Sequence, residues 1–566
     1  MALHRITRSH LNSFSVSHGF SSLSEEKQFE YFVNYSLLSP LVAMNFDLDD
    51  VTTGDKDDGV DGIAIVIDEE LVCSVDHAIQ IFESGKRSLD VEIFFVQAKT
   101  SNSLDLGDFL KFKESVLRFI DGRSDYIDEV QKNVKEIFEI VLANVPYIRG
   151  GQPNLTAWFV SAGVYDEPDI FEKTKQKFIE DVDVTGFFKK INVAFLGRNE
   201  IHSFWVSTFE KIRSEIQMFS SAALPNIYGV DEAYLAVVKA KELVANLLSN
   251  KEGGIRSHVF QENVRAFLGI DNPVNKSIAD TLKEDNKSTR FPVLNNGITI
   301  VSSDVRVQGN TLYLEDFQIV NGCQTSNVLF ECRDSLDESI MVSLKVIETS
   351  NADVFSDLVR ATNSQSKVED KQFYSLLPII KRVESYFNTF EGEEGRIYLE
   401  RRDKQYAGTG IPVLRTFSVN DAAKAVAAMF LERPDLAYRY PKQMYDQLGS
   451  VIFNDKTKES VFYAGCLALY RLYSLVAAAS IPQNVRKYKW HIIALVRAII
   501  SGKTVPDIKS KKIDSYVNNI INVCNQGGRA SLDPFQKAVA IIQSFDDLSP
   551  DSLKKQSMLA EMISRI

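Results

Sequence analysis

Four side chains in the first hundred residues have the chemistry needed to hydrolyse phosphodiester bonds. Asp61 stands at the start of one short apolar run, Gln97 and Lys99 stand at the end of another, and Glu30 lies in a segment before both. The period of two in a strand puts Gln97 and Lys99 on one face, and Asp61 joins them if the two strands are neighbours. Mg²⁺ binds carboxylate and carbonyl oxygens, and an adjacent ammonium can activate water and stabilise a pentavalent phosphate. We therefore predict a catalytic site of Glu30, Asp61, Gln97 and Lys99, with Asp61 and Gln97 as ligands of Mg²⁺ or Mn²⁺.

The order helix-Glu, strand-Asp and strand-Gln-x-Lys resembles the PD-(D/E)XK nuclease superfamily. The similarity is strongest to the Mrr-type restriction endonucleases, in which a glutamine replaces the usual acid before x-Lys. It spans roughly residues 20–200 and implies a restriction-endonuclease-like mixed sheet, cleavage of DNA, and a homodimer that pairs two sites. One departure is the long interval between Asp61 and Gln97, which must hold an insertion. The plain alternative is that Asp61 and Lys99 are turn and surface residues beside buried strands.

The elements that must position these residues follow from hydrophobic periodicity. Ser24 is an N-cap before a helix with an apolar stripe that includes Phe29 and Phe32. Two β-branched and aromatic runs, residues 63–67 and 91–96, predict strands. Further patterns predict helices over residues 104–145, strands over 155–161 and 191–196, a helical connection through Tyr234 and Leu243, and a helical segment beyond Arg415.

Four strings between residues 262 and 366 are rich in amides and small residues: ENVR (262–265), LNNGIT (294–299), QIVNGCQT (318–325) and ATNSQS (361–366). Amides hydrogen-bond well but are poor acids and bases, so the strings favour recognition over chemistry. The third string leads from a strand into a helix, so backbone N–H groups near Gly322 and Thr325 could hold a phosphate. For the second string, the alternative is a tight hairpin turn at Asn295-Asn296-Gly297. Cys323 is predicted to be a buried small residue rather than a nucleophile.

Taken in order, these strings resemble the AIPR family, named for abortive infection and phage resistance. The resemblance runs from about residue 260 to 402, through FQENVRAFLG, FPVLNNGITI, FQIVNGCQTSNVLF and LVRATNSQSKVED. It implies a bacterial antiphage protein, in which a nuclease domain before the AIPR domain is a familiar arrangement. The third and fourth strings also look distantly like ParB and DndB-type modules that bind nucleotide or modified DNA. The expected nucleic-acid or nucleotide contacts are Asn296, Asn321, Gln324, Thr325, Asn363, Gln365, Arg401 and Arg402.

A basic segment lies near the C-terminus, although the whole chain carries a net charge of −12. Residues 486–512 contain eight Lys or Arg and one acid, and Trp490 lies among them as a stacking platform. The predicted phosphate contacts are Arg486, Lys487 and Lys489. The alternative is a solvated helix face.

Length and composition limit the remaining classes of protein. With 566 residues and 45% hydrophobic residues the chain is globular, and it is long enough for about three domains. We predict a nuclease-like domain over residues 1–215, an AIPR domain over 216–410 and a helical domain over 411–566, an α/β multidomain architecture. Five scattered cysteines without Cys-x-x-Cys spacing argue against disulfides or structural zinc. No signal or membrane-spanning run is found, so we expect a cytoplasmic protein without membrane contact.

The leading prediction is an antiphage protein of the abortive-infection type that acts as a metal-dependent DNA endonuclease. Its expected partners are DNA, a second copy of the chain, and a further defence-system subunit or a phage trigger protein. The alternative is a non-cutting sensor subunit that binds nucleotide or nucleic acid. A purely structural subunit of a larger complex is a third interpretation.

Overall fold

A computed structural model gives the fold of the chain. It describes residues 3–42, 45–54, 59–122, 128–165, 169–209, 213–250, 253–260, 267, 269, 270, 272–349, 351–363, 374, 377–401, 405–438, 441–526, 528–545 and 548–566.

The N-terminal part is built on a mixed five-stranded sheet. Its strands are β1 (Gly62–Ile67), β2 (Glu70–Leu71), β3 (Val91–Lys99), β4 (Asn154–Ser161) and β5 (Ile191–Leu196). The order is β2-β1-β3-β4-β5, with β1 antiparallel to both neighbours and β3, β4 and β5 parallel. The helices are α1 (Arg5–His18), α2 (Glu25–Leu38), α3 (Val75–Glu83), α4 (Leu106–Asp121), α5 (Glu129–Ala143), α6 (Asp169–Asp183) and α7 (Arg198–Ser207). The predicted helix after Ser24 and the predicted strands are thus present, and α3 occupies the insertion between Asp61 and Gln97.

Strand alternation divides the core of this part into two layers. Ile63 and Phe95 pack with α4 on one face of the sheet. Ala64 and Val96, one residue further along each strand, pack with α1, α2 and α7 on the other face. Gln97 follows Phe95 by two residues, so its side chain belongs to the face covered by α4.

The middle part is built on a seven-stranded sheet of order β11-β8-β12-β7-β6-β10-β9. Its strands are β6 (Arg213–Ala223), β7 (Glu232–Lys239), β8 (Ile298–Ser302), β9 (Asp304–Gln308), β10 (Thr311–Glu315), β11 (Gln318–Asn321) and β12 (Met341–Glu348). Its helices are α8 (Ala240–Glu242), which continues into a π-helical turn (Leu243–Leu248), α9 (Pro273–Lys283), α10 (Asp285–Ser288), α11 (Phe291–Leu294), α12 (Cys323–Glu331) and α13 (Ala352–Asn363). All neighbouring strands are antiparallel except β8 and β12.

Two local predictions in this part are wrong. The predicted helix through Tyr234 is strand β7, because pairing with β6 on one side and β12 on the other overrides a helix-like spacing of apolar residues. The predicted hairpin at Asn295-Asn296-Gly297 is absent, because the residues before it form helix α11 and β8 pairs with β11 and β12 instead.

The C-terminal part is helical around the buried helix α18. Its helices are α14 (Pro378–Phe387), α15 (Val419–Phe430), α16 (Pro434–Ala437), α17 (Pro441–Ile452), α18 (Glu459–Ala477), α19 (Lys489–Ser501), α20 (Lys512–Asn525), α21 (Gly528–Gln543), α22 (Pro550–Leu553) and α23 (Gln556–Ser564), beside a small parallel pair, β13 (Tyr398–Glu400) and β14 (Thr416–Ser418). By length and composition α18 could cross a membrane, but 78% of its apolar stretch is buried inside the protein. The core of this part begins at Ile379, so α14 belongs to it although it lies before the predicted boundary at residue 410.

Candidate functional site

Asp61 lies directly before β1, next to the end of β3 that carries Gln97 and Lys99. The antiparallel register of the two strands ends at the pair of Gly62 and Val96. The Asp61 backbone N–H donates to the Val96 carbonyl at 2.8 Å, and the Ala98 N–H donates to Asp61 Oδ2 at 2.7 Å. The Asp61 carboxylate therefore binds the backbone of the strand that carries Gln97 and Lys99. The convergence of the Asp61, Gln97 and Lys99 side chains stays a prediction.

Buried polar contacts from α2 hold the backbone of Asp61. Asn34 Nδ2 donates to the Asp61 carbonyl at 3.1 Å and to Thr52 Oγ1 at 3.0 Å, and Asn34 has no solvent exposure. A Cβ on Gly62 would overlap the Asn34 side chain, which explains why glycine follows the aspartate. The Thr53 N–H donates to the same Asp61 carbonyl at 3.3 Å. The aspartate is therefore fixed by its backbone as well as by its carboxylate.

Gln97 carries the most unusual observation in this region. The residue is 1% exposed, and neither its amide oxygen nor its amide nitrogen has a hydrogen-bond partner among the described residues. Leaving a buried polar group unpaired costs about 1–3 kcal/mol for each group. Native proteins pair nearly all such groups, so the Gln97 amide is available to bind a water molecule or a ligand.

Lys99 and Glu30 differ in their surroundings. Lys99 is half-buried and forms no ion pair within the described chain. Glu30 accepts from the Lys27 ammonium at 2.6 Å, and Lys27 also donates to the Thr53 carbonyl at 2.5 Å. Glu30 belongs to α2, which packs on the face of the sheet opposite to α4. Its catalytic role stays a prediction.

Lys111 on α4 also reaches this site, and we did not predict it. An ideal Cβ on Gly59 would lie 3.3 Å from Gln97 Nε2 and 3.4 Å from Lys111 Cδ. Both side chains therefore approach one point above Gly59. The sequence carries no signal that separates Lys111 from other helix-surface lysines. In the described parts of the chain no group of three or more His, Cys, Asp or Glu could hold a metal ion, and residues 55–58 lie outside those parts.

The second and third amide-rich strings meet through two glycines. Gly297 and Gly322 have φ values of +76° and +96°, a region that favours glycine. A Cβ on Gly322 would lie 2.8 Å from Ile298 Cγ1 and 3.1 Å from the Gly297 carbonyl oxygen. These glycines are needed where two backbone segments approach closely.

The third and fourth strings meet beside them. Asn321 Nδ2 donates to the Thr362 carbonyl at 3.1 Å, and Gln324 Oε1 accepts from Asn275 Nδ2 at 2.8 Å. Asn275 is fully buried, and its Oδ1 has no partner in the described structure. Two predicted contact residues, Asn321 and Gln324, thus make bonds inside the protein.

The other predicted contacts of this part differ in exposure. Asn296 is exposed and Thr325 is half-buried. The side chain of Asn363, and Gln365 and Arg402 entirely, lie outside the described residues. Gly322 is the N-cap of helix α12 and provides no side-chain cap, and phosphate binding at the first N–H groups of the helix stays a prediction.

Burial raises the pKa of the Cys323 thiol to about 12. A thiol with that pKa stays protonated at neutral pH and is a poor nucleophile, in line with the predicted structural role.

Substituting Gly322 with alanine is expected to destabilise the protein by about 2 kcal/mol or more. The added methyl group must occupy a left-handed backbone conformation and displace Ile298 or the Gly297 carbonyl. Gly309→Ala is the matched control, because Gly309 also has positive φ but has open space around its Cβ position. Urea denaturation of both variants measures the difference, and equal losses would show that the close approach contributes nothing.

The predicted basic surface at residues 486–489 is wrong for two of its three cations. Arg486 is 9% exposed and pairs with Asp49 at 3.2 Å, and the Lys489 ammonium pairs with Asp47. Trp490 is also buried, at 5% exposure, and cannot serve as a stacking platform. These cations neutralise carboxylates from the N-terminal part.

Two further predicted cations also have protein partners. Lys487 is exposed and pairs with Glu129 at 3.0 Å. The Arg401 side chain is 7% exposed and pairs with Glu384 at 3.1 Å. A nucleic acid would have to compete with Glu384 for a guanidinium that is already largely buried, so Arg401 is poorly placed for the predicted contact.

Comparison with known proteins identifies one segment of the chain. Residues 260–535 match the AIPR family, described as AIPR protein. The match includes all four amide-rich strings and continues through the C-terminal helices into α21. It confirms the resemblance of this segment to the AIPR family and supports a role in antiphage defence of the abortive-infection type. Searches of curated proteins and of solved structures found no significant match.

Proposed function

We propose that this protein is a metal-dependent endodeoxyribonuclease that acts in antiphage defence. The observation that carries the proposal is the buried amide of Gln97, which has no hydrogen-bond partner among the described residues. The next residue, Ala98, donates its N–H to the Asp61 carboxylate, and Lys99 follows on the same strand. A structural glutamine at this position would be expected to satisfy its amide within the protein. The mixed sheet, with α2 before β1 and α4 between β3 and β4, is also compatible with the PD-(D/E)XK resemblance.

The donor atoms fit Mg²⁺ or Mn²⁺. The Gln97 carbonyl oxygen and the Asp61 carboxylate would hold the ion, because both are hard oxygen ligands and the glutamine oxygen has no other partner among the described residues. When bound, such an ion supplies Lewis-acid polarisation of a phosphate oxygen and lowers the pKa of coordinated water. The two ligands alone do not complete a coordination shell, and water and substrate phosphate oxygens are the usual remaining ligands of Mg²⁺.

Lys99 provides the positive charge of the proposed site. Its ammonium orients the attacking water and stabilises the negative charge that develops on the phosphate in the transition state. Asn34 and Thr53 hold the backbone carbonyl of Asp61, and the Ala98 N–H holds its carboxylate, so the carboxylate needs little reorganisation during the reaction. A homodimer is part of the proposal, since cleavage of both DNA strands requires two such sites.

A second candidate function is a sensor that binds nucleotide or nucleic acid without cutting. The observation in its favour is the convergence of three amide-rich strings around Gly297, Gly322 and Thr362. The two functions can also be combined in one protein. The amide-rich region would then receive the phage signal, either directly or from a second defence subunit or a phage trigger protein, and the N-terminal site would cut DNA.

The proposal is tested by incubating supercoiled plasmid with the full-length protein in Mg²⁺, in Mn²⁺ and in EDTA. We expect nicked and linear products with either metal, none in EDTA, and a loss of at least about 10²-fold for Asp61→Asn. Asp183→Asn is the matched control, because Asp183 is exposed at the end of α6. Metal-independent cleavage, or equal cleavage by wild type and Asp61→Asn, would contradict the assignment.

A further inference from the structure

Gly59 leaves a narrow space in which the Gln97 amide and the Lys111 side chain meet. Gly59 has a φ of +92°. The position of its missing Cβ is 3.3 Å from Gln97 Nε2, 3.4 Å from Lys111 Cδ and 3.5 Å from Lys111 Cγ. The methylene groups of Lys111 therefore lie at the edge of the candidate site, beside the buried amide. The Lys111 ammonium is two bonds beyond Cδ.

Lys111 differs in its charged contacts from Lys113, its neighbour on α4. The Lys113 ammonium pairs with Asp181 at 2.5 Å. Lys111 is exposed and makes no ion pair within the part of the chain that the structure describes. An exposed ammonium that stands next to a catalytic candidate and neutralises no described carboxylate is available to a ligand.

The charge of the protein favours such a cation at the site. The chain carries a net charge of −12, and two of the cations predicted to attract nucleic acid, Arg486 and Lys489, are paired inside the protein. Cations at the site itself would hold a polyanionic substrate against this net charge. Lys99 is half-buried in the strand, and Lys111 is exposed at the rim, so the two can contact successive phosphates of one strand.

We propose that Lys111 is a substrate-binding residue that contacts the DNA phosphate next to the one that is cleaved. This inference rests on the proposed nuclease function. Lys111 does not touch the reacting atoms; its ammonium fixes the register of the DNA backbone so that the scissile phosphate lies between Gln97 and Lys99. Such a contact carries no sequence preference and is sensitive to salt.

The test measures binding and cleavage separately. Binding of a fluorescently labelled DNA duplex to the full-length protein is followed by anisotropy in EDTA at several salt concentrations. We expect Lys111→Gln to weaken binding several-fold and to reduce the slope of log affinity against log salt by about 1. In Mg²⁺, the same variant should raise KM more than it lowers kcat, and Lys111→Arg should restore most of the binding.

Lys132→Gln is the matched control, because Lys132 is an exposed helix lysine on α5 with the same change of charge. An unchanged salt slope in Lys111→Gln, with a wild type that cleaves plasmid, would overturn this inference alone. Equal weakening by the two variants would also overturn it, since the effect would then be one of net charge. A wild-type protein that binds duplex but does not cleave it in Mg²⁺ or Mn²⁺ would overturn the proposed nuclease function instead.

Discussion

Lys99→Ala is expected to lower Mg²⁺-dependent plasmid cleavage by at least about 10²-fold, because the proposed site loses the ammonium that activates water and stabilises the developing phosphate charge. The fold should tolerate the change. Lys99 is half-buried at the end of β3 and has no ion-pair partner among the described residues, so its removal breaks no ion pair between them. The expected result is a stable protein without activity.

Two further variants distinguish a loss of catalysis from a loss of positive charge and from a loss of folding stability. Lys99→Arg keeps the positive charge but replaces a compact ammonium with a planar guanidinium, so we expect partial binding and little cleavage. Lys173→Ala removes an exposed lysine of α6 in the same part of the protein and should cleave like wild type. Thermal melting of all three variants within about 2 °C of wild type would establish that the fold is intact.

Phage protection gives an independent measurement of the same residue. If cleavage is the protective activity, cells that express Lys99→Ala should be infected as efficiently as cells without the gene, whereas Lys173→Ala should protect. Full protection by Lys99→Ala would contradict the nuclease proposal and favour the sensor interpretation.

The position of Asp61 beside β3 could be predicted because it depends on local rules. Period-two alternation places Gln97 and Lys99 on one face of β3, and antiparallel pairing of the two apolar runs brings Asp61 to the same end of that strand, where its carboxylate accepts from the Ala98 N–H. Lys111 could not be predicted in the same way. Its position depends on how α4 packs over the sheet and on the missing side chain of Gly59, neither of which appears in a spacing of residue types.

The errors in the middle part have a common physical cause. The apolar residues around Tyr234 have a spacing that suits a helix, but both edges of this segment are paired with other strands, and those partners lie elsewhere in the chain. Likewise, Asn295-Asn296-Gly297 has the composition of a turn, yet Gly297 is needed for its close approach to the Ser343 backbone. Composition predicts the local backbone conformation here, but not which other segment the backbone packs against.

Lys489→Met is expected to destabilise the protein by about 3–5 kcal/mol, the cost of leaving a buried charge without its partner. The Lys489 ammonium pairs with Asp47, which lies 442 residues earlier in the chain, and Arg486 pairs with Asp47 at 3.7 Å and with Asp49 at 3.2 Å. Arg486 also stacks over Phe20 at 4.8 Å. Among the described residues, removal of Lys489 leaves the Asp47 carboxylate paired only with the more distant Arg486.

The substitution Lys489→Met is also expected to disturb the candidate site. The turn that contains Asp47 and Asp49 leads directly into Thr52, which forms a bridge with Gly62, and into Thr53, whose N–H holds the Asp61 carbonyl. We therefore expect Lys489→Met to reduce cleavage at temperatures well below its unfolding midpoint. Urea denaturation followed by tryptophan fluorescence measures the stability, because the buried Trp490 ring lies 5.6 Å from the Lys489 ammonium.

Lys487→Met provides the control two residues away. Lys487 pairs with Glu129, but the two side chains are 41% and 59% exposed, so the pair should contribute no more than about 1 kcal/mol. Similar losses in Lys487→Met and Lys489→Met would contradict the assignment of a buried ion network.

The pH dependence of the free energy of unfolding shows whether Lys489 stabilises the protein through its charge. Burial raises the pKa of Asp47, but the Lys489 and Arg486 cations lower it more, so the pKa lies below its ordinary value of 3.8. A carboxylate with a lowered pKa stabilises the folded state above pH 3.8, and this contribution is lost as the pH falls through the folded pKa. The difference in stability between wild type and Lys489→Met should therefore be largest near neutral pH and should narrow as the pH falls towards and below 3.8. A difference that stays constant over this range would show that Lys489 acts through packing of its methylene groups rather than through its charge.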